Sequence, residues 1–275
     1  MAKSRYVQDE RYRAVPWMAR NVEEYYPPIN REFIVNYLAI DASTEACSVA
    51  VKFEGKTYSS FEVCPQSHSL RLLPMIDEIL KEASCTLKDL DGLIFGRGPG
   101  SFTGVRIGIG VAQGLAFSAD LLVVGVSTLQ AMAQWAHIEN KISADKNQVI
   151  AAIDARMGEV YTCVFRLEKN TESPYFGLMQ PQSAEAVLAP ERLAEHYAQF
   201  SAAQTYAVGT GWEAYDKSLS ALKSDKEHPE LLFPHAEAML SIGEAAFANN
   251  EGVTAEHAQP VYVRDTVSWK KLPGK

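Results

Sequence analysis

The sequence is short of positive charge. Its 26 lysines and arginines stand against 34 aspartates and glutamates, which gives the 275-residue chain a formal net charge of −8. A protein that binds nucleic acid by itself needs lysines and arginines to neutralise phosphates, so the composition argues against autonomous nucleic-acid binding. Hydrophobic residues make up 47% of the chain and charged residues 22%. That balance allows a sizeable core and excludes wholesale disorder.

Cysteine is also scarce, and its spacing matches no metal-binding or disulfide pattern. No Cys-x-x-Cys pair occurs, so we expect free thiols, with neither a zinc site nor a disulfide framework. The six histidines lie far apart and form no pair at helical i, i+4 spacing. Among them, His68 precedes a long helix and is expected to be a capping or surface residue. The cysteines are Cys47, Cys64, Cys85 and Cys163.

Long apolar runs are lacking as well. Arg106 and Asp120 bound one candidate, and Gln130 and Gln134 interrupt the next, so no stretch has the length of a membrane-spanning helix. The opening MAKSRYVQDERYR contains no apolar segment of the kind found in signal peptides. We therefore expect a cytoplasmic protein without a membrane partner.

Residues 1–36 differ from the rest of the chain. They carry a net charge of +1, contain three prolines and show no helical or alternating pattern. We interpret them as an N-terminal arm of unassigned role. The remainder divides into an N-terminal lobe over residues 37–138, which carries the partner-binding helices, and a C-terminal lobe with a basic tail over residues 139–275.

The N-terminal lobe opens with a strand pattern. FIVNYLAIDAS and CSVAVKF read as strands, and Glu54-Gly55 closes a hairpin into KTYSSFEVC. A helix is predicted over residues 69–83, with apolar side chains on more than one face. We expect something other than this chain's own sheet to cover the second face.

A glycine-rich turn, GRGPGS, leads from a strand into a second helix over residues 101–117. Gly104, Gly108 and Ala112 recur every four residues on it and form a small-residue ridge, which permits close approach of another helix. We expect both helices to pack against a partner protein, because contiguous apolar surface is normally buried. The expected interface residues are Leu70, Leu73, Ile76 and Leu80 on the first helix and Gly104, Ile107, Gly108, Val111 and Ala112 on the second.

Two parts of the chain share a similar sequence pattern. Asp41 in LAIDAST and Asp154 in AAIDARMGEV each end an apolar strand and precede a turn and another strand. Helical patterns follow near residues 190–199 and 235–248. The pattern predicts an α/β protein with two related lobes.

Five segments closely resemble the bacterial TsaB (YeaZ) family, and the resemblance covers residues 36–274. It implies an actin/Hsp70/sugar-kinase-like (ASKHA) fold with mixed sheets flanked by helices. It also implies a role in forming N6-threonylcarbamoyladenosine at position 37 of tRNA, with a related catalytic subunit, TsaD, and a small ATPase, TsaE. The segments are LAIDASTEACSVAV, GRGPGSFTGVRIGIGVAQGLAF, VGVSTL, AAIDARMGEVY and VSWKKLPGK.

The resemblance also shows what this chain has lost. The catalytic relative carries two histidines one helical turn apart that face one metal ion. At the matching places this sequence has Thr128 and Met132, whose hydroxyl and thioether are poor ligands for a hard or borderline cation. We therefore expect a pseudo-enzyme without a metal, which activates a threonylcarbamoyltransferase.

Nucleotide binding is expected to be weak or shared at an interface, and no cofactor is required by this chain. Folds of this class hold phosphates on turns that begin Asp-x-Gly, where glycine allows close backbone approach. Here Ser43 and Arg156 stand at the glycine positions, and we expect their side chains to narrow the nucleotide cleft. The candidate cleft residues are Asp41, Ser43, Thr44, Asp154, Gly209 and Gly211.

The expected partners are thus a TsaD-like catalytic subunit, a TsaE-like ATPase and, indirectly, tRNA, with a homodimer when the chain is alone. Lys270 and Lys271, in the basic tail, are candidate contacts to the partner or to tRNA. Two other classes stay open: a small-molecule kinase or ATPase that uses the degenerate cleft, and a metal-dependent peptidase-like enzyme, which Thr128 and Met132 oppose.

Overall fold

The computed structural model describes residues 35–143, 147–222 and 230–264. Most of the arm, and both tail lysines singled out above, lie outside these ranges. The strands are β1 (Tyr37–Asp41), β2 (Ala46–Phe53), β3 (Lys56–Val63), β4 (Gly92–Gly96), β5 (Val123–Val126), β6 (Gln148–Asp154), β7 (Val160–Leu167), β8 (Met179–Pro181), β9 (Ala186–Leu188) and β10 (Thr205–Val208). The α-helices are α1 (His68–Glu82), α2 (Phe102–Ala119), α3 (Thr128–Ile138), α4 (Leu193–His196), α5 (Gly211–Ala214), α6 (Asp216–Leu219) and α7 (Ala236–Ala248).

The first five strands form one mixed sheet in the order β3-β2-β1-β4-β5. β1, β2 and β3 are antiparallel neighbours, and the predicted hairpin turn lies at Glu54-Gly55, where both residues have positive φ. That conformation suits a two-residue turn matched to the strand twist. β4 and β5 continue the sheet in parallel with β1.

The second sheet repeats the beginning of the first. β6 and β7 form an antiparallel pair and β10 lies parallel to β6, as β4 lies parallel to β1. β8 and β9 add to the far side of β7. The expected α/β architecture of two mixed sheets flanked by helices is therefore confirmed, and Asp41 and Asp154 occupy equivalent strand ends.

Alternating residues of the first sheet face two different helical layers. Leu38 and Ile40 pack with α1 and α2, whereas Tyr37 and Ala39 pack with α7. This period-two alternation is what a sheet covered on both faces requires. Both faces of β1, in the middle of the first sheet, are thus buried by helices from this chain.

The two lobes do not divide cleanly at the predicted boundary, residue 138, because one helix from each side of it packs on the other lobe. α3 lies before that boundary, yet Leu129 and Met132 pack against β6 and β7 of the second sheet. α7 lies after the boundary, yet Met239 packs on the first sheet. The two helices also contact each other, so they join the lobes across their middle.

The two helices predicted for the second half of the chain differ in how well they match the structure. The helix expected near residues 190–199 consists of a short 3₁₀ turn followed by α4, whereas α7 closely matches the pattern at 235–248. Among the residues described, no helix combines the length and hydropathy that crossing a bilayer requires.

Candidate functional site

The end of β1 places a buried carboxylate where the fold class holds phosphate. Asp41 is 1% exposed, and it accepts hydrogen bonds from the backbone amide and the hydroxyl of Ser43, each at 2.9 Å. The Thr128 hydroxyl donates to the Ser43 hydroxyl at 2.9 Å. Because burial disfavours the charged form, the pKa of Asp41 rises to about 6, although the bonds from Ser43 oppose the change.

The glycine-rich turn presses directly on this carboxylate. A Cβ atom at Gly96 would lie 1.9 Å from Oδ2 of Asp41, and one at Gly100 would lie 2.1 Å from the carbonyl oxygen of Ser43. The Ser101 amide donates to that same oxygen at 2.7 Å. The first turn is therefore packed closely against the glycine-rich turn, and Ser43 is fully buried between them.

The raised pKa of Asp41 predicts a specific pH dependence of stability. The folded form holds the proton up to about pH 6, whereas the unfolded form releases it near the ordinary value of 3.8. The free energy of unfolding contributed by this group is therefore fully present below pH 4 and is lost as the pH rises to about 6. The loss amounts to about 3 kcal/mol.

We expect Asp41→Asn to remove this change. In urea titrations between pH 4 and pH 7, the stability of the variant relative to the parent protein should rise with pH by up to about 3 kcal/mol. The exposed Asp77, which pairs with Lys81, provides the control, since Asp77→Asn should leave the slope over that window nearly unchanged. Parallel profiles for the parent and Asp41→Asn would contradict the prediction.

An ion pair connects the second turn to the first. Asp154 accepts hydrogen bonds from the Arg156 amide at 2.9 Å and from the Arg156 guanidinium at 2.8 Å. The same guanidinium reaches Glu45, in the turn of the first lobe, at 2.8 Å. The arginine that replaces glycine therefore bridges the two turns, and its charge is already paired. Since Arg156 is largely exposed, this pair adds little to stability.

Gly209 follows the end of β10 and Gly211 begins α5, and both are packed against β6. A Cβ atom at either glycine would come within 3 Å of the carbonyl oxygen of Ala152 in β6. Gly209 also has a φ of +105°, a conformation that favours glycine. Close packing against the neighbouring strand thus accounts for both glycines. Thr44 is likewise buried in the first turn.

The two positions that the resemblance matches to metal-binding histidines belong to the core. Thr128 and Met132 are both fully buried, with Thr128 bonded to Ser43 as described and Met132 packed among apolar side chains of the second sheet. Ser101 accepts a hydrogen bond from the Gly104 amide at 3.3 Å, as an N-cap of α2 does. This geometry gives Ser101 a structural task and pairs it with no catalytic base.

The small-residue ridge faces inward, which corrects the expected interface. Gly104, Gly108 and Ala112 are buried, and a Cβ atom at Gly104 would lie 2.1 Å from the carbonyl oxygen of Ala42. Ile76 is 3% exposed and packs in the same core. These four residues bring α1 and α2 close to the first lobe's own sheet and turn, and are unavailable to a partner.

The remaining predicted residues form the outer helix face, defined as Leu70, Leu73, Leu80, Ile107 and Val111. Leu70 is 73% exposed and Leu73 is 48% exposed, and the other three are half-buried. Because α1 and α2 cover the same side of the sheet and contact each other, their outward sides are continuous. This apolar surface is the part of the prediction that the structure leaves accessible.

Sequence reasoning missed two further features of the structure. Phe102 and Phe117, near the two ends of α2, are exposed, and the Arg106 guanidinium lies 3.5 Å from the centre of the Phe102 ring while donating to the hydroxyl of Tyr262. A cavity of about 530 Å³ is lined in part by Arg97, which pairs with a glutamate 88 positions later in the chain. No local pattern links residues so far apart.

A family model and two relatives match most of this chain, and all three are named for the threonylcarbamoyl modification of tRNA. The family model described as TsaD, tRNA N6-adenosine threonylcarbamoyltransferase, matches residues 61–268. The tRNA threonylcarbamoyladenosine biosynthesis protein TsaB of Escherichia coli is 48% identical over 238 residues, which cover 86% of this chain and 98% of that protein. The protein of the same name from Haemophilus influenzae is 41% identical over 86% of this chain and 97% of its own length.

A solved structure is similar throughout its length. YeaZ from Pseudomonas aeruginosa is 44% identical and superimposes with a TM-score of 0.70, covering 83% of this chain and all of that one. The likeness therefore spans both sheets and the helices between them.

Proposed function

The chain belongs to the TsaB family of tRNA threonylcarbamoyladenosine biosynthesis proteins, and we propose that it acts in forming N6-threonylcarbamoyladenosine at position 37 of tRNA as a non-catalytic scaffold. In this role it pairs with a TsaD-like catalytic subunit and activates it. A TsaE-like ATPase completes the assembly, and tRNA is engaged through the complex.

The proposal of a non-catalytic role rests on the residues that occupy the cleft. The two positions that would need metal-binding imidazoles hold Thr128 and Met132, both fully buried. The phosphate-binding turns are occupied by Ser43 and by the Arg156–Glu45 ion pair. A threonylcarbamoyltransferase needs an electrophile that is activated in an open site. The side chains that stand at these positions support a non-catalytic role.

The outer helix face supports the scaffold part. Exposed leucines on one surface of adjacent helices are typical of an interface core. The TsaD family model matches this chain over residues 61–268, a range that includes both helices. A partner of that family would therefore present a related helix pair, and four helices would pack together. Without the partner, the same face of a second copy gives a symmetric homodimer.

The net charge of −8 supports indirect contact with tRNA, because few phosphates can be neutralised by this chain alone. Lys270 and Lys271, outside the described residues, stay predicted contacts within the assembly. ATP is expected to contact this chain at most weakly or at a shared interface.

The test is reconstitution by omission. Purified TsaD-like and TsaE-like proteins of the same organism are combined with tRNA, ATP and a source of activated threonylcarbamoyl groups. Modified nucleoside is measured with and without this chain. We expect formation only when the chain is present, and no formation when it replaces the TsaD-like protein. Equal yields with and without the chain would disprove the activating role.

A further inference from the structure

Two cysteines and a histidine meet beneath the N-terminus of α1. Cys47 comes from β2, Cys64 follows β3, and His68 is the first residue of α1. A thiol sulfur from each cysteine and a ring nitrogen of His68 lie within 4.8 Å of one another. The three side chains are 0%, 6% and 8% exposed. His68 is therefore buried, which corrects its expected place as a capping or surface residue.

The histidine is held as metal ligands usually are. Its Nε2 atom lies 2.7 Å from the carbonyl oxygen of Thr44. A carbonyl oxygen only accepts, so Nε2 carries the proton and the lone pair remains on Nδ1. Histidines that bind metals typically donate their other ring N–H to a backbone carbonyl, which fixes the ring and its tautomer.

We propose that Cys47, Cys64 and His68 bind a zinc ion, in contrast to the free thiols expected from the cysteine spacing. The site is separate from the positions of Thr128 and Met132. Two thiolates and an imidazole are a donor set that suits Zn²⁺ and disfavours Mg²⁺ or Ca²⁺. Within the described residues, these three form the one group of three histidine, cysteine or acidic side chains close enough to share an ion.

The distances require only a small adjustment. Zinc binds sulfur at about 2.3 Å, so two thiolates of a tetrahedral site lie about 3.8 Å apart. Ligand atoms now within 4.8 Å thus need to approach by at most about 1 Å. Rotation of the cysteine side chains supplies part of this movement, and a water molecule takes the fourth position, as in sites with three protein ligands.

Zinc at this place would add a link between α1 and the paired strands β2 and β3, beside the Arg71–Glu62 ion pair that already joins α1 to β3. It would fix the first turn of α1 to the β2–β3 hairpin, close to Leu70 and Leu73 on the outer helix face. We therefore expect the ion to stabilise the surface that carries the proposed interface. The zinc site itself does not depend on that function.

The first experiment uses the full-length protein stripped with a chelator and then dialysed against zinc. Elemental analysis should find about one zinc ion per chain, and binding should release protons from both thiols at neutral pH. Cobalt(II) in place of zinc should give a thiolate-to-metal charge-transfer absorption. A chain that retains no zinc, or a cobalt spectrum without that band, would overturn the proposal.

The second experiment locates the ligands. Cys47→Ser with Cys64→Ser should abolish zinc retention and the cobalt band, and His68→Asn should weaken both. Cys85→Ser and Cys163→Ser are matched controls, because each removes a buried free thiol outside the cluster, and both should bind as the parent does. Should the double variant fail to fold, the two control variants still test whether Cys85 or Cys163 is a ligand. Loss of the cobalt band in either of them would refute the assignment.

Discussion

Gly104→Ala is expected to destabilise the free chain by about 3 kcal/mol or more. The new methyl group would lie 2.1 Å from the carbonyl oxygen of Ala42, an atom of the backbone that cannot rotate away. Overpacking of a core typically costs about 1–3 kcal/mol and more where the backbone must shift. For a chain of this size the melting temperature should fall by roughly 6–12 °C, measured by circular dichroism with a urea titration alongside.

Gly110 on the same helix provides the control. A Cβ atom there would have open space around it, and alanine favours helix over glycine by up to about 1 kcal/mol. Gly110→Ala should therefore leave the melting temperature unchanged or raise it. Equal melting temperatures for Gly104→Ala and the parent would mean that the ridge is not pressed against the Ala42 turn, and would return it to the list of interface candidates.

The second large effect concerns the outer helix face. Leu70→Asp with Leu73→Asp should weaken binding of a TsaD-like partner by about 1,000-fold, since two exposed anchors lost from the centre of an interface cost about 2 kcal/mol each. Both side chains are directed to solvent in the free chain, so its melting temperature should change little. Isothermal titration calorimetry with the partner measures the first effect, and thermal unfolding measures the second.

Phe176→Asp is the matched control for that double variant. Phe176 is 55% exposed and lies between β7 and β8, away from α1 and α2. The Phe176→Asp variant should bind the partner with parental affinity. The interface assignment fails if the leucine variant, shown to be folded, binds the partner as tightly as Phe176→Asp does. The same pair of variants, measured by size-exclusion chromatography without a partner, reports on the homodimer.

Much of the molecule could be predicted from local pattern. The hairpin at Glu54-Gly55 and the helices over 68–82 and 102–119 lie where turn chemistry and apolar spacing indicate. The family followed from long contiguous motifs, and the comparisons confirm it. The residues at the two matched positions, Thr128 and Met132, could also be read directly, because an i, i+4 pair belongs to a single helix and needs no tertiary information. The absence of a metal there stays a prediction.

The face of a helix that meets a partner could not be predicted in this way. Gly104 and Gly108 permit close approach of any backbone, and their spacing is the same whether that backbone belongs to the chain itself or to another protein. The structure assigns them to the chain's own turn at Ala42 and leaves Leu70 and Leu73 outside. Only the position of the sheet beneath the helix decides between these two faces.

Contacts between distant segments are the other part that the tertiary structure decides. The chain spaces Cys47, Cys64 and His68 without a metal-binding motif, and their meeting depends on the register of β2 and β3 and on where α1 begins. The Arg156–Glu45 bridge depends in the same way on two turns from different sheets. Sequence determined the residue types and the local elements here. Proximity came from the packing of apolar faces, which brings polar side chains together without any signal in their spacing.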